Sequence, residues 1–195
     1  MAGSDLVAPV LLLAMPQVND PFFRKSVVLL LVHEDEGSFG FVVNRDTELK
    51  VGDILNDLEL EWAGDASLLA GFGGPVQPHV GSVLFQGAPG ETLPELATAS
   101  EVASGIHLTQ HLTELAEIAR RPPARFRLLL GHAGWGAGQL VGEILRNDWL
   151  LAPVDAGLVF APGGEEVWEA GLRSVGVDPE TLPAWTEGEE EGPAN

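Results

Sequence analysis

The segment GHAGWGAGQLVGEILRNDW, residues 131–149, carries the strongest structural signal in the chain. Four glycines within its first eight residues separate an apolar stretch from an amphipathic helix. Glycine allows positive φ and close backbone approach, and a helix start presents free N–H groups. The pattern predicts a strand, a glycine loop and a helix. It also makes this connection a candidate binding site, with these residues: Gly134, Trp135, Gly136, Gly138, Gln139 and Glu143.

The spacing of these glycines excludes the familiar phosphate-binding loops. It fits neither G-x-G-x-x-G nor a Walker loop, because no Gly-Lys-Ser/Thr follows. Two interpretations stay open. The loop contributes backbone N–H groups to a ligand, or the glycines only permit a tight turn that buries Trp135 against the sheet.

Hydrophobic periodicity outside this segment alternates between the strand and helix patterns, as expected of a mixed α and β domain. Strands are predicted at 9–14, 26–33, 39–44, 80–86, 104–108, 125–131 and 149–160, with a break at Pro153 in the last. Helices are predicted around 51–58, from a Thr109 cap to about 119, after the glycine loop, and at 164–174. We expect one domain over residues 1–177 and a disordered acidic tail over 178–195.

Charge argues against nucleic acid as a partner. The formal net charge is −19, with only ten lysines and arginines, whereas DNA binding requires many cations along the phosphate backbone. One basic cluster flanks Pro122 and Pro123. Its members are Arg120, Arg121, Arg125 and Arg127. The cluster either binds a small anion or a protein partner, or it consists of charges at the C-terminal end of a helix followed by the solvent-exposed start of a strand.

Cysteine content and segment lengths give the expected compartment. The chain has no cysteine and shows no secretory signal pattern, and the apolar run 27–32 is far shorter than the ~20 residues of a membrane span. We therefore expect a cytoplasmic protein with no membrane partner. The sequence indicates no cofactor and no metal site, and it leaves the oligomeric state open.

Five sequence blocks carry a family resemblance. They are LLAMP (12–16), DPF with SVV (20–28), GFVVNR (40–45), GGPV (73–76) and GWGAGQL (134–140), followed by NDWL (147–150). In this order they resemble the AlgH/YqgE family of bacterial proteins over about residues 10–177. The resemblance implies an α+β fold, a single domain with a bent, partly rolled mixed sheet flanked by about four helices. It also implies a bacterial cytosolic protein whose biochemical role is undefined, although some relatives are labelled transcriptional regulators.

Arg45 is the side chain we single out for binding. It follows an apolar strand and Asn44, and its planar fork of donors suits a carboxylate or a phosphate. The alternative is an internal salt bridge to Asp46, to Glu48 or to an acidic residue elsewhere in the chain. Our hypothesis is that Asn44 and Arg45 converge with Gly73, Gly74 and the 134–139 loop around an anionic ligand or the acidic group of a protein partner.

Two function classes follow. The first is a non-enzymatic regulatory domain that binds a small anion or a protein partner. The second is an enzyme acting on a small anionic metabolite, with His132, Glu143 or His33 moving a proton. A third possibility is a scaffold whose glycine loops only pack. We favour the first because the chain contains no G-x-S-x-G, H-E-x-x-H or EF-hand pattern, and we assign no catalytic residue.

Overall fold

Two apolar runs near the N-terminus form the centre of a sheet that is covered on both faces. Strands Val10–Ala14 (β1) and Val27–Glu34 (β2) pair antiparallel, with Leu12 opposite Val28. Successive side chains of a strand point to opposite faces. Odd positions such as Leu11 and Leu29 therefore join one core cluster, and even positions such as Leu12 join another. Burial on both faces explains why these strands are continuously apolar rather than alternating.

The computed structural model describes residues 6–183. The remaining strands are Gly37–Val42 (β3), Asp46–Lys50 (β4), Leu69–Phe72 (β5), Val76–Gln86 (β6), Ser100–Ala103 (β7), Ile106–Thr109 (β8), Arg125–Gly136 (β9) and Trp149–Ala152 (β10). The helices are Val51–Asp57 (α1), Leu112–Arg120 (α2), Gln139–Leu145 (α3), Ala156–Val159 (α4) and Glu165–Ser174 (α5), followed by a 3-10 turn at Pro179–Thr181.

The strands form one curled sheet in the order β10-β1-β2-β3-β9-β6-β8-β7. β9 lies at its middle and has different partners along its length, because residues 125–130 pair with β6 and residues 133–136 pair with β3. β4 and β5 lie off this path, and β5 pairs parallel with β9 while the other pairings are antiparallel. The predicted α+β class with a single domain and a bent, mixed sheet is confirmed.

The glycine loop is the main correction to the predicted elements. The strand expected to end at residue 131 continues to Gly136, so Gly134, Trp135 and Gly136 are strand residues paired with β3. The close approach in this pairing depends on the glycine of β3, because a Cβ on Gly37 would lie 2.4 Å from the Trp135 carbonyl oxygen. Gly131, with φ of +73°, lies between the two paired parts of β9.

Other boundaries differ for local reasons. The strand predicted over 149–160 ends at Ala152, and Asp155 then caps the single-turn helix α4 by accepting a hydrogen bond from the Gly157 N–H. Thr109 does not cap α2, since it lies in β8 and donates its hydroxyl to Glu114. β4, β5 and β7 were not predicted. Residues 6–183 contain five α-helices, where about four were expected.

Several predictions agree with the structure. Helices over 51–58 and 164–174 are present as α1 and α5. In the turn before β2, Asp20 accepts the Phe22 N–H at 2.8 Å. The start of the predicted acidic tail, 178–183, contains the 3-10 turn, and its remainder lies outside the described residues. Within residues 6–183 no helix combines the length and apolarity needed to cross a bilayer.

Candidate functional site

Glu143 organises the glycine-rich segment. Its Oε2 accepts hydrogen bonds from the indole N–H groups of Trp135, at 2.9 Å, and Trp149, at 2.8 Å. Its Oε1 accepts from the Gln139 amide at 3.0 Å, and Gln139 Oε1 in turn accepts the Gly136 N–H at 3.1 Å. The two indoles are almost fully buried, so the carboxylate satisfies donors that would otherwise be costly. The polar groups of this segment are thus largely engaged with one another.

The predicted glycines fall into two groups according to the space around them. A Cβ on Gly73 would lie 2.2 Å from the Gly131 carbonyl oxygen, and one on Gly74 would lie 2.1 Å from the His132 carbonyl group. These two positions require glycine for packing. At Gly134 the nearest neighbour of a Cβ is 3.9 Å away, and at Gly136 it is 4.0 Å away, so packing does not require glycine there.

A cavity of about 270 Å³ adjoins the Glu143 network. Gly134, Trp135, Gln139 and Glu143 line one side of it, and residues 17–20, Phe23, Asp148 and Trp149 line the rest. The rings of Phe23, Trp135 and Trp149 lie within 6.1 Å of one another. The charged groups in its lining are the carboxylates of Asp20, Glu143 and Asp148. The segment that was expected to bind an anion therefore borders an acidic cavity.

Asn44 and Arg45 lie on the other side of the 20–25 turn and hold it in place. Asn44 is buried; its Oδ1 accepts the Val27 N–H at 2.8 Å, and its amide donates to the carbonyls of Lys25 and Gly164. The Arg45 guanidinium donates to the carbonyls of Pro21 and Arg24. Burial lowers the pKa of Arg45, an effect that Asp20 opposes and Arg24 reinforces.

A second cavity, of about 350 Å³, opens at this corner and is basic. Its lining comprises Arg24, Lys25, Asn44, Arg45, Gly164 and Glu165. Lys25 forms an ion pair with Glu165 and lies 5.7 Å from the centre of the Trp168 ring. Arg24 and Lys25 were missed at the sequence level, although two adjacent cations directly after a helical turn are conspicuous in a chain with ten.

The structure therefore brings together parts of the predicted site and separates others. Asn44 and Arg45 share the basic cavity, whereas Gly134, Trp135, Gln139 and Glu143 share the acidic one. Gly73 and Gly74 line neither of these cavities and pack against the backbone of β9. Gly138 precedes α3 with φ of +70° and has open space around it. The 20–25 turn lies between the cavities, because Asp20 and Phe23 face one and Arg24 and Lys25 face the other.

Two further candidate residues, Arg127 and His132, make their contacts within the fold. Arg127 is buried, donates to the carbonyls of Val43 and Ala161, and lies 3.9 Å from Asp46. Its pKa is lowered by burial, against the effect of Asp46. His132 packs on Phe39 with ring centres 4.8 Å apart, and burial lowers its pKa. Across residues 6–183 no group of three or more histidine, aspartate or glutamate side chains could hold a metal ion.

The predicted resemblance is borne out by comparison with known proteins. The AlgH-like family model, DUF179, matches residues 11–180. A UPF0301 protein of Burkholderia multivorans is 40% identical over 174 residues, which cover 88% of this chain and 89% of that protein. A UPF0301 protein of Myxococcus xanthus is 38% identical over 177 residues, covering 90% and 94%.

Two solved structures share the fold. The solution structure of the AlgH protein from Pseudomonas aeruginosa superposes with a TM-score of 0.70 at 31% identity, covering 87% of this chain and 88% of that one. A crystal structure from Corynebacterium diphtheriae gives a TM-score of 0.72 at 24% identity, covering 89% of both chains, and it supports the fold alone. With a family match over most of its length and relatives at this level of identity, the chain belongs to the AlgH-like family.

Proposed function

We propose that this protein is a non-enzymatic regulatory domain that binds an anionic group in the basic cavity at Arg24, Lys25, Asn44 and Arg45. The observation that carries the proposal is the concentration of charge: three of the ten cationic side chains line one cavity of a protein whose net charge is −19. Clustered cations repel one another, and an anion placed among them relieves that repulsion. The anion is a phosphate, sulfate or carboxylate, free or on a protein partner.

The cations of this cavity differ in how firmly they are held. Arg45 is fixed by the Pro21 and Arg24 carbonyls, which use two of its five donors and leave others for a ligand. Lys25 forms an ion pair with Glu165, and the Arg24 side chain is exposed. A fixed guanidinium loses little freedom when it binds, which favours specific recognition of a planar or tetrahedral oxyanion.

The alternative function, an enzyme acting on a small anionic metabolite, has weaker geometric support. Its proposed proton carriers lie in different places. Glu143 accepts hydrogen bonds from two indoles, and His132 packs against Phe39. His33 Nδ1 is 2.7 Å from the Ser38 hydroxyl, but Ser38 is buried in the β2–β3 hairpin. A binding role, including one in regulation, requires none of these groups to move a proton.

Thermal denaturation in the presence of anions tests the proposal. The panel contains phosphate, sulfate, nucleotides, sugar phosphates and carboxylate metabolites. A ligand at 100 times its Kd stabilises the folded state by about 2.7 kcal/mol, which raises the Tm by about 5–10 °C for a chain of this size. We expect at least one anion to produce such a shift, and Arg24→Ala to remove most of it.

Arg24 is the better variant because Arg45 supports the turn and its loss would alter stability directly. Arg120→Ala is the matched control, since Arg120 is an exposed arginine elsewhere on the surface. The control is expected to keep the full shift. If no member of the panel stabilises the wild type, or if both variants lose the shift equally, the proposed anion site is wrong.

A further inference from the structure

A third cavity, of about 410 Å³, lies between α1, α2 and the sheet, away from both cavities described above. Its walls are largely apolar and include Ile54, Val80, Val83, Leu115, Leu128 and Leu130. Cavities that bind small molecules have volumes of about 300–1,000 Å³, apolar walls and a few polar groups that fix orientation. This cavity has the volume of a site for a small ligand, and the sequence patterns gave no indication of it.

A large bulge in β6 builds one wall of the cavity. Val76 pairs with His132 and Gly81 pairs with Leu130, so residues 77–80 stand opposite a single residue of β9. Gln77 has φ of +49°, a conformation that is uncommon for a residue with a side chain. The bulge places His79 and Val80 in the cavity lining, and bulges commonly redirect side chains toward functional sites.

The two helices leave their apolar stripes uncovered at the mouth of the cavity. In α1, Leu55 is fully buried, but Leu58 at its end is 46% exposed. In α2, Ile118 is fully buried, but Leu112 at its start is 53% exposed. Both exposed leucines line the cavity, so an apolar molecule bound there would remove them from water.

Polar groups line the same cavity and are fixed by neighbours. The Gln110 amide donates to the buried Ser82 hydroxyl at 2.8 Å, and the His111 N–H donates to Thr109 Oγ1 at 3.2 Å. Together with His79 and Asp57 they offer both donors and acceptors. A head group that both donates and accepts a hydrogen bond matches this set, and the Asp57 carboxylate in the lining disfavours an anionic head.

We propose that this cavity binds a small amphipathic molecule with an apolar body and an uncharged hydroxyl head group. The apolar body lies among the side chains of Val83, Leu115 and Leu128, and the hydroxyl group is bound by the polar groups of the lining. The site is independent of the basic cavity, because the two share no residue. The proposed anion function and this one can therefore fail separately.

Fluorescence titration of the full chain with N-phenyl-1-naphthylamine, a neutral apolar probe, tests the proposal. The probe is expected to bind saturably with one site per chain, and 1-octanol is expected to displace it at a concentration about tenfold lower than octanoate does. Probe binding that does not saturate, or equal competition by octanol and octanoate, would overturn the assigned ligand class.

Two variants locate the site, and a third controls for general surface hydrophobicity. Gly81→Leu fills the cavity, and its Cβ meets only Leu128 Cδ1, at an ordinary 3.5 Å. Leu112→Asp places a charge at the exposed mouth, where folding tolerates it. Each should weaken probe binding about tenfold or more. Leu145→Asp, at a leucine that is 62% exposed on α3, should leave binding unchanged.

The Leu145→Asp control separates binding in the cavity from general surface binding, and a second measurement separates a ligand site from a contact between proteins. If Leu145→Asp weakens probe binding as much as Leu112→Asp, the probe reports general surface binding and the proposal is wrong. Sedimentation velocity on the wild type and Leu112→Asp provides the second measurement. A wild-type dimer that Leu112→Asp converts to a monomer would assign the cavity to a second copy of the chain instead.

Discussion

The acidic cavity beside Trp135 and the basic cavity beside Arg45 lie on opposite sides of the 20–25 turn, but they use their polar groups differently. In the first, Glu143 accepts three side-chain N–H groups and its neighbours form an internal network. In the second, three cations line one cavity, and Lys25 forms an ion pair with Glu165. The comparison teaches that the polar groups of the segment with the most conspicuous sequence bind one another, while the cations are concentrated beside it.

The largest expected loss of stability comes from substituting a glycine that backbone packing requires, compared with a glycine that packing does not require. Gly74→Ala places a Cβ 2.1 Å from the His132 backbone, and its φ of +149° is unfavourable for a side chain. We expect a loss of about 4 kcal/mol or more in the free energy of unfolding, or no folded protein. Gly134→Ala should cost less than about 1 kcal/mol, because its Cβ meets only ordinary contacts. Urea denaturation measures both, and equal losses would contradict the distinction.

Substitution of Glu143 tests whether its hydrogen-bond network beside the acidic cavity stabilises the fold. Glu143→Ala leaves two buried indole N–H groups without their acceptor, which should cost about 2–4 kcal/mol. Glu143→Gln retains one acceptor oxygen and should cost less. Urea denaturation followed by tryptophan fluorescence measures the loss. A near-neutral Glu143→Ala would mean that the network contributes little to stability and that the carboxylate is available for another role.

Arginine substitutions compare a supporting and a rim residue within the basic cavity. Arg45→Ala removes the donors that hold the Pro21 and Arg24 carbonyls and should cost about 1–2 kcal/mol. Arg24→Ala changes an exposed side chain and should stay within about 0.5 kcal/mol. Chemical denaturation without added anion provides both values. If Arg24→Ala destabilises the protein as much as Arg45→Ala, it is unsuitable as a binding variant.

The smallest effect concerns pH. Burial lowers the pKa of His132, so the unfolded chain binds a proton more readily than the folded one. The stability contributed by neutral His132 is therefore present above the unfolded pKa of about 6.5 and is lost as the pH falls below it. In denaturation between pH 5.5 and 7.5, His132→Tyr should show a weaker decline toward low pH than the wild type. Parallel profiles would show that His132 makes no such contribution.

The parts of the fold that sequence predicted are those with strong local periodicity. The continuous apolar runs of β1 and β2 and the stripe of α1 need no tertiary information, because their own spacing specifies element and buried face. β4, with the sequence DTELK, is mostly exposed and lacks that signal. Its pairing with β5 depends on a neighbour that is distant in sequence, such as Gly71 opposite Asp46. Tertiary pairing, rather than propensity, defines these strands.

The site was predicted in pieces for a related reason. Single residues such as Asn44, Arg45 and Glu143 stand out in the sequence, but the relative placement of loops depends on how the sheet curls. In a sequence, a glycine can indicate either a backbone contact with a ligand or close packing of two backbones. Only the neighbouring backbone separates them, as at Gly74 against His132. The cavity between α1 and α2 depends on a bulge, which has no periodic signature.

The pairing of β1 with β10 has a consequence for biosynthesis. Leu11 near the N-terminus lies opposite Ala152, so the outer partner of β1 is made long after β1 itself. At about 5–20 residues per second, ribosomes need roughly 10–30 s to cover that interval. Throughout this time the unpaired N–H and C=O groups along this edge of β1, a strand with apolar side chains, are available to other nascent chains or to chaperones. Premature termination before Trp149 would therefore release an aggregation-prone fragment rather than a smaller working domain.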